Sequence, residues 1–205
     1  MLIVGLTGNI AAGKSSVARL FADWGAVVTD ADQIVHDLQR PDTPVFEALV
    51  ARFGDAIVSG DGTLDREALR DIALHDADAL HDLNRLIHPA VAARREVLEA
   101  AARLDGAKVI VHDIPLLFEA TDPSTFDLIV LVDAPPRVRR ARLERDRNIS
   151  GEEADGLLAW QQPSDVKREA SDIIIENDGD HATLERRARE AWNQILEAAA
   201  AASRI

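Results

Sequence analysis

The arrangement of apolar and polar residues predicts strands that alternate with helices at both ends of the chain. Short apolar runs bounded by turn residues are typical of buried strands, and apolar residues that recur every three or four positions are typical of helices. Helical spacing follows the first run at residues 14–24 and returns at residues 182–202. The strand-like runs are residues 2–6, 26–29, 108–112, 128–132 and 173–175. Because strands separated by helices form parallel sheets with right-handed crossovers, we predict an α/β fold with a five-stranded parallel sheet.

Residues 33–104 carry no strand signal, and helical spacing replaces it. Apolar residues recur in four groups, which are Val45-Leu49-Phe53, Leu64-Leu69-Ile72, Leu80-Leu83-Ile87 and Val91-Val97-Leu98. Proline and glycine clusters near residues 41–44 and 60–62 indicate turns between helices. This periodicity is typical of a packed helical unit and not of a linker. We therefore predict a helical substrate domain at residues 33–104, inserted into a core built from residues 1–32 and 105–205.

The amino-acid composition limits the kinds of molecule that the protein is expected to bind. The 205 residues carry a formal net charge of −13, which disfavours general affinity for nucleic acid or an anionic membrane, because both bind basic surfaces. The chain has no cysteine, which is compatible with a reducing compartment, and no apolar run approaches the roughly 20 residues of a membrane-spanning helix. The first predicted strand follows Met1 directly, so we expect no signal peptide. We expect a cytoplasmic protein that binds a small molecule. The oligomeric state stays open, with a monomer favoured.

A phosphate-binding loop is predicted between the first strand and the first helix, where the chain matches G-x-x-x-x-G-K-S in full. Glycines let backbone N–H groups approach phosphates, and the N-terminus of the following helix adds partial positive charge. Lys14 is expected to contact the β- and γ-phosphates of a nucleoside triphosphate, and the Ser15 hydroxyl to bind Mg²⁺. The predicted nucleotide-binding residues here are Gly8, Asn9, Ile10, Ala11, Ala12, Gly13, Lys14, Ser15 and Ser16.

Candidate site aspartates follow two of the predicted strands, at the edge where open α/β sheets place their sites. Asp32, after the second strand, is a candidate for accepting or orienting the proton of an acceptor hydroxyl. The alternative is a cap for the next helix, a role for which Asp30 is favoured. Asp113, after the third strand, is a candidate for holding Mg²⁺ through water, and a helix cap is again the alternative.

Three further features have both a functional and a structural interpretation. His88 precedes Pro89, and the residue before proline avoids helical backbone, so we predict a turn at a substrate-facing helix end. A packed structural histidine is the alternative. Asn177 begins an N-D-G sequence after the last strand, where its amide would read adenine or simply form a turn. Residues 137–147 carry six arginines, which form either a solvated face or a mobile segment that brings positive charge to the transferred phosphoryl group.

Six motifs, in order, resemble those of the dephospho-CoA kinase family and span nearly the whole chain. They are L-T-G-N-I-A-A-G-K-S-S at 6–16, D-A-D at 30–32, L-I-H-P at 86–89, P-L-L-F-E at 115–119, R-L-E-R-D at 142–146 and I-I-E-N-D-G at 174–179. The phosphate loop alone is found in many nucleotide-binding proteins. All six motifs in this order are specific.

The resemblance implies a phosphate-loop kinase core with an inserted CoA domain and a helical lid at about residues 137–165. It implies transfer of the γ-phosphoryl group of ATP, with Mg²⁺, to the ribose 3′-hydroxyl of dephospho-CoA, the last step of coenzyme A synthesis. Catalytic roles then fall to Asp32, Lys14 and either Arg142 or Arg145. The residues implied in binding the acceptor are Asp32, His88, Pro115, Leu116 and Phe118, and Asn177 joins those that bind the nucleotide.

The loop departs from the family pattern at three positions. Family members usually read G-G-I-G-S-G-K-S, whereas this chain has Asn9, Ala11 and Ala12 in place of two glycines and a serine. Backbone donors survive these changes if the non-glycine residues tolerate the required φ angles. Two other functions stay open: a kinase of another small molecule, such as a nucleotide, shikimate or a sugar acid, and a nucleotide-binding switch. The chain lacks the N/T-K-x-D motif expected of a GTPase switch.

Overall fold

The computed structural model describes residues 1–147 and 149–202, and its contacts divide the chain into two units. One unit consists of residues 1–29 together with the described residues from 101 onward. The other consists of residues 30–100. Within the described ranges, no helix combines the length and the apolar character needed to cross a membrane.

A five-stranded sheet lies at the centre of the first unit. The strands are β1 (Leu2–Thr7), β2 (Val27–Asp30), β3 (Val109–Asp113), β4 (Leu128–Asp133) and β5 (Ile173–Glu176), and their order is β2-β3-β1-β4-β5. Parallel pairing joins β1 to β3 and β4, and β4 to β5. Every residue of β3 is buried, as expected for a parallel sheet covered on both faces. The predicted fold class is confirmed, and the residues that follow β1, β3, β4 and β5 meet at one edge of the sheet.

The helices of the described chain account for most of the remaining residues. They are α1 (Lys14–Asp23), α2 (Ala31–Leu38), α3 (Pro44–Phe53), α4 (Arg66–His75), α5 (Ala77–Leu104), α6 (Leu117–Ala120), α7 (Pro136–Arg147), α8 (Gly151–Trp160), α9 (Ser164–Glu169) and α10 (His181–Ala202). Ser150 accepts a hydrogen bond from the Glu153 N–H at 3.3 Å and so caps the N-terminus of α8.

Helices α1 and α10 pack together on the sheet of the first unit. The rings of Phe21 and Trp192, both buried, have centroids 5.4 Å apart. The Arg189 guanidinium lies 3.5 Å from the centroid of the Trp24 ring, in a cation–π contact. These contacts hold α1, and with it the loop that precedes α1, against α10.

The second unit has a small core of its own. Val45, Leu49, Ile57 and Leu69 are buried at its centre. Side-chain caps begin its helices: Thr43 accepts from the Phe46 N–H at 3.2 Å, and Asp65 accepts from the Ala68 N–H at 2.9 Å. The helical periodicity of residues 33–104 is therefore realised as packed helices.

The turn predicted at Pro89 is wrong, because α5 runs through it from Ala77 to Leu104. Proline inside a helix removes one hydrogen bond and disfavours helical backbone at the preceding residue. Here the 28-residue helix supplies enough hydrogen bonds and packing on either side to continue past that local penalty.

Candidate active site

The loop between β1 and α1 presents unpaired backbone donors at a helix N-terminus. A Cβ atom at Gly8 would lie 2.5 Å from the carbonyl oxygen of Val132, so only glycine fits there. Gly13 precedes α1 with a φ of 98°, in the left-handed region that favours glycine. Within the described part of the chain, the N–H groups of Gly13, Lys14 and Ser15 have no acceptor, and no side chain caps the helix. Such a set of donors suits a phosphate group.

Arg142 and Asn177 hold the second half of this loop. Ala11 has a φ of 58°, which costs a non-glycine residue on the order of 1–3 kcal/mol. Arg142 Nη1 donates to the carbonyl oxygens of Ala11 and Ala12, at 3.2 and 3.3 Å, and Asn177 Nδ2 donates to that of Ala12 at 2.7 Å. Arg142 Nη2 in turn donates to the backbone and side-chain oxygens of Asn177, at 3.1 and 3.0 Å. These contacts fix the strained backbone at Ala11.

The arginines of residues 137–147 lie in different environments. Burial lowers the pKa of the Arg142 guanidinium, and the nearby charge of Arg145 acts in the same direction, against an opposing effect of Asp146. Arg145 is exposed, and a hydrogen bond to Asp146, with an Nε–Oδ1 distance of 2.6 Å, raises the pKa of Arg145. Arg139 is buried and donates to a backbone carbonyl at 3.0 Å. The cluster is therefore more than a solvated face, because Arg139 is buried and the half-buried Arg142 binds the phosphate loop.

Lys14 forms an ion pair with Asp113, the last residue of β3. Their side chains are 15 % and 10 % exposed, so the pair is largely shielded from water. No group of three or more acidic or histidine side chains suited to a metal ion occurs among the described residues. The exposed Ser15 hydroxyl and the Asp113 carboxylate fit a Mg²⁺ ion that takes most of its ligands from phosphate oxygens and water.

Two acidic residues that end neighbouring strands are bridged by one arginine. Asp133 and Glu176 lie opposite each other in the β4–β5 register. Arg168, on α9, donates to Asp133 at 2.8 Å and to Glu176 at 2.5 Å. The hydrogen bond to Glu176, followed by that to Asp133, raises the pKa of the Arg168 guanidinium. Ser164 Oγ donates to the same Asp133 carboxylate at 3.0 Å. Sequence reasoning did not assign these residues, although acidic residues at the ends of two strands were a usable signal.

The junction between α8 and α9 contacts the first half of the phosphate loop. Asn9 Nδ2 donates to the Gln162 carbonyl oxygen and to Ser164 Oγ, at 3.3 Å each. The Ile10 N–H donates to Gln161 Oε1 at 2.7 Å. No local pattern in the sequence indicates these contacts, which join residues more than 150 positions apart.

The segment that follows β3 is fixed near each of its ends. Thr7 Oγ1 donates to the Pro115 carbonyl oxygen at 3.3 Å. At the other end, the Lys167 ammonium group lies 2.9 Å from Glu119 Oε1, although the angle is not that of a hydrogen bond. The side chain of Lys167 is fully buried, whereas that of Glu119 is 25 % exposed. The predicted acceptor-binding residues Pro115, Leu116 and Phe118 lie on this segment and are half-buried.

The second unit carries the other predicted acceptor-binding residues. Asp30 Oδ1 accepts from the N–H groups of Asp32 and Gln33, at 2.8 and 3.2 Å, so Asp30 caps α2 as predicted. Asp32 is exposed in the first turn of α2. His88 is exposed on α5 and is not a packed core histidine. It lines a shallow depression on this helix together with His81, Asn84, Arg85 and Pro89.

The family model described as dephospho-CoA kinase matches residues 2–183 of the chain. The chain belongs to the dephospho-CoA kinase family. A dephospho-CoA kinase of Streptomyces avermitilis is 41 % identical over 199 residues, which cover 97 % of this chain and 96 % of the relative. The resemblance drawn from the six motifs is thereby confirmed.

Solved structures agree with the fold of a dephospho-CoA kinase. The crystal structure of TT1252 from Thermus thermophilus superposes with a TM-score of 0.80 at 34 % identity, covering 93 % of this chain and 95 % of that one. Dephospho-CoA kinase from Campylobacter jejuni gives a TM-score of 0.69 at 23 % identity, over 94 % of this chain and 96 % of that one. This second likeness concerns the fold alone.

Proposed function

We propose that the chain transfers the γ-phosphoryl group of ATP to the ribose 3′-hydroxyl of dephospho-CoA, giving CoA and ADP. The observation that carries this proposal is the group of unpaired N–H donors at Gly13, Lys14 and Ser15, in a chain that matches the family model over residues 2–183. The donors suit the polyphosphate of the nucleotide, and membership of the family supports the acceptor.

On the nucleotide side, phosphate oxygens accept hydrogen bonds from the N–H groups at the start of α1. The Lys14 ammonium group exchanges its contact with Asp113 for the β- and γ-phosphates, where it stabilises charge that moves toward the leaving oxygen. The Ser15 hydroxyl and, through water, the Asp113 carboxylate would hold Mg²⁺, which would supply positive charge to the phosphate oxygens. Asn177 keeps the loop in place, because its side-chain amide contacts Ala12 and Arg142.

On the acceptor side, Asp32 orients the 3′-hydroxyl and accepts its proton late in the transfer. Asp30, and not Asp32, is the residue that caps α2. We assign acceptor binding to the helical insertion at residues 33–104 and a lid role to about residues 137–165. Arg142 is engaged with the loop, so Arg145 is the lid arginine proposed to approach the transferred group. The residues proposed to contact dephospho-CoA are Asp32, His88, Pro115, Leu116 and Phe118.

The site of phosphorylation on the product tests this proposal. Purified protein is incubated with ATP, Mg²⁺ and dephospho-CoA, and the product is examined by phosphorus–proton correlation NMR. We expect a new phosphorus signal coupled to the ribose H3′, and its loss when EDTA replaces Mg²⁺. Coupling to H2′, or phosphorylation of the pantetheine arm, would contradict the assignment. The proposal includes activity as a cytoplasmic monomer, and light scattering at the assay concentration tests the monomer.

A further inference from the structure

The first half of the phosphate loop is attached by side chains to the junction between α8 and α9. Asn9 is 4 % exposed, and its Nδ2 donates to the Gln162 carbonyl oxygen and Ser164 Oγ, both at 3.3 Å. One residue later, the Ile10 N–H donates to Gln161 Oε1 at 2.7 Å. We call these hydrogen bonds the loop–junction connection. The phosphate loop supplies the donor in each of them, and each segment contributes one side-chain amide.

The connection depends on an asparagine where the family's loop usually has glycine. Asn9 does not have a positive φ, so the backbone does not require glycine at this position. A buried amide is retained although Asn9 Oδ1 has no hydrogen-bond partner in the described part of the chain. Leaving a buried acceptor unpaired is unfavourable, which makes the two hydrogen bonds of Nδ2 the evident reason for an amide here.

The junction gives the loop a firm point of attachment. Ser164, which accepts from Asn9, donates to the Asp133 carboxylate at 3.0 Å. On the same short helix, Arg168 binds Asp133 and Glu176, at the ends of β4 and β5. The loop–junction connection therefore ties the first half of the phosphate loop to the sheet edge through α9, while Arg142 and Asn177 hold the second half.

We propose that Asn9 and Gln161 are positioning residues, which hold the phosphate loop and the α8–α9 segment in the arrangement that receives ATP. Neither is assigned a contact with the reacting atoms. The inference rests on the proposed kinase function, and it identifies side chains that hold this loop at a position where the family usually has glycine.

The test compares Asn9→Ala, Gln161→Ala and the double variant with Gln162→Ala as the matched control. Gln162 takes part only through its backbone carbonyl, so its side chain should be dispensable. We expect each single variant to raise KM for ATP about two- to tenfold, the factor for losing one or two hydrogen bonds, with a smaller change in kcat. The double variant should lose little more than the worse single variant, because both changes break one connection. Asn9→Gly should behave like Asn9→Ala.

Three kinetic results would overturn the proposal. They are effects on KM that multiply in the double variant, a normal KM for ATP in both single variants, and a lower KM for ATP in Gln161→Ala. The last would mean that Gln161 Oε1 competes with a phosphate oxygen for the Ile10 N–H.

Hydrogen exchange of the ligand-free protein gives a readout that does not depend on turnover. Peptides covering residues 9–12 and 161–167 should exchange faster in Asn9→Ala than in Gln162→Ala, and equal exchange would contradict the connection. A wild-type protein that leaves dephospho-CoA unphosphorylated would contradict the proposed function alone.

Discussion

The ion pair between Lys167 and Glu119 should respond very differently to removal of its two members. Lys167 lies on α9 with a fully buried side chain, and its ammonium group is 2.9 Å from Glu119 Oε1 on α6. A buried cation is tolerated only with a charged or strongly polar partner. Glu119→Gln removes that charge while keeping the size of the side chain. Lys167→Met removes the buried charge and leaves Glu119, which is 25 % exposed, in contact with water.

The magnitudes follow from this difference in burial. Removing one partner of a buried pair costs about 3–5 kcal/mol, because the other charge is left buried and uncompensated. For a chain of this size that cost corresponds to a fall in Tm of about 6–20 °C, at roughly 2–4 °C per kcal/mol. Replacing the buried charge with an apolar side chain of similar length is often neutral, so we expect Lys167→Met to change stability by less than about 1 kcal/mol.

Urea unfolding followed by tryptophan fluorescence measures these differences. Trp24, Trp160 and Trp192 all lie in the unit that contains the ion pair, so the signal reports on that unit. Adding Lys167→Met to Glu119→Gln should restore most of the lost free energy of unfolding, since it removes the stranded cation. Equal losses in the two single variants, or a double variant less stable than Glu119→Gln, would refute the reasoning.

Three further predictions concern the proposed chemistry. Lys14→Ala should lower kcat by about 10²–10³-fold, because fixed backbone donors cannot replace a charge that follows the transferred group; steady-state kinetics retaining more than a tenth of the wild-type kcat would argue against it. Asp32→Asn should lower kcat at least about tenfold, or ~1.4 kcal/mol of barrier, with ATP affinity by calorimetry nearly unchanged. Weakened MgATP binding with normal kcat would instead assign Asp32 to metal or loop support. Arg142→Ala should raise KM for ATP through the loop, Arg145→Ala should lower kcat, and Arg137→Ala should do neither. If all three variants lose the same modest fraction of activity in kinetic assays, the arginines form only a solvated face.

The parts of the fold that could be predicted are those encoded by neighbouring residues. Strand β1, the phosphate loop and α1 follow one another within residues 2–23, and spacing alone identifies them. Asp30 could be recognised as a cap because Asx caps act over two or three residues. Pro89 marks the limit of local reasoning, since cooperativity along α5 outweighs the preference of a single proline.

The contacts that could not be predicted join distant positions. Arg168 compensates two carboxylates that become neighbours only when β4 and β5 pair. In the sequence, Asn9 is only a replacement for a glycine of the family pattern. Its role becomes clear in the folded chain, where its side chain donates hydrogen bonds to Gln162 and Ser164. From the sequence alone, Arg142 and Arg145 were equal candidates for the catalytic arginine. Their burial and partners separate them, because one holds the loop and the other is exposed to solvent.

A coupled assay of acceptor specificity tests the central claim most directly. The purified protein is supplied with ATP and Mg²⁺, and ADP release is followed with dephospho-CoA, AMP, adenosine or shikimate as the acceptor. We predict rapid, Mg²⁺-dependent turnover of dephospho-CoA to CoA, with the other three compounds poor acceptors, because the helical unit at residues 30–100 offers more surface than a small acceptor needs. Turnover of AMP or shikimate at an equal or higher rate would contradict the account.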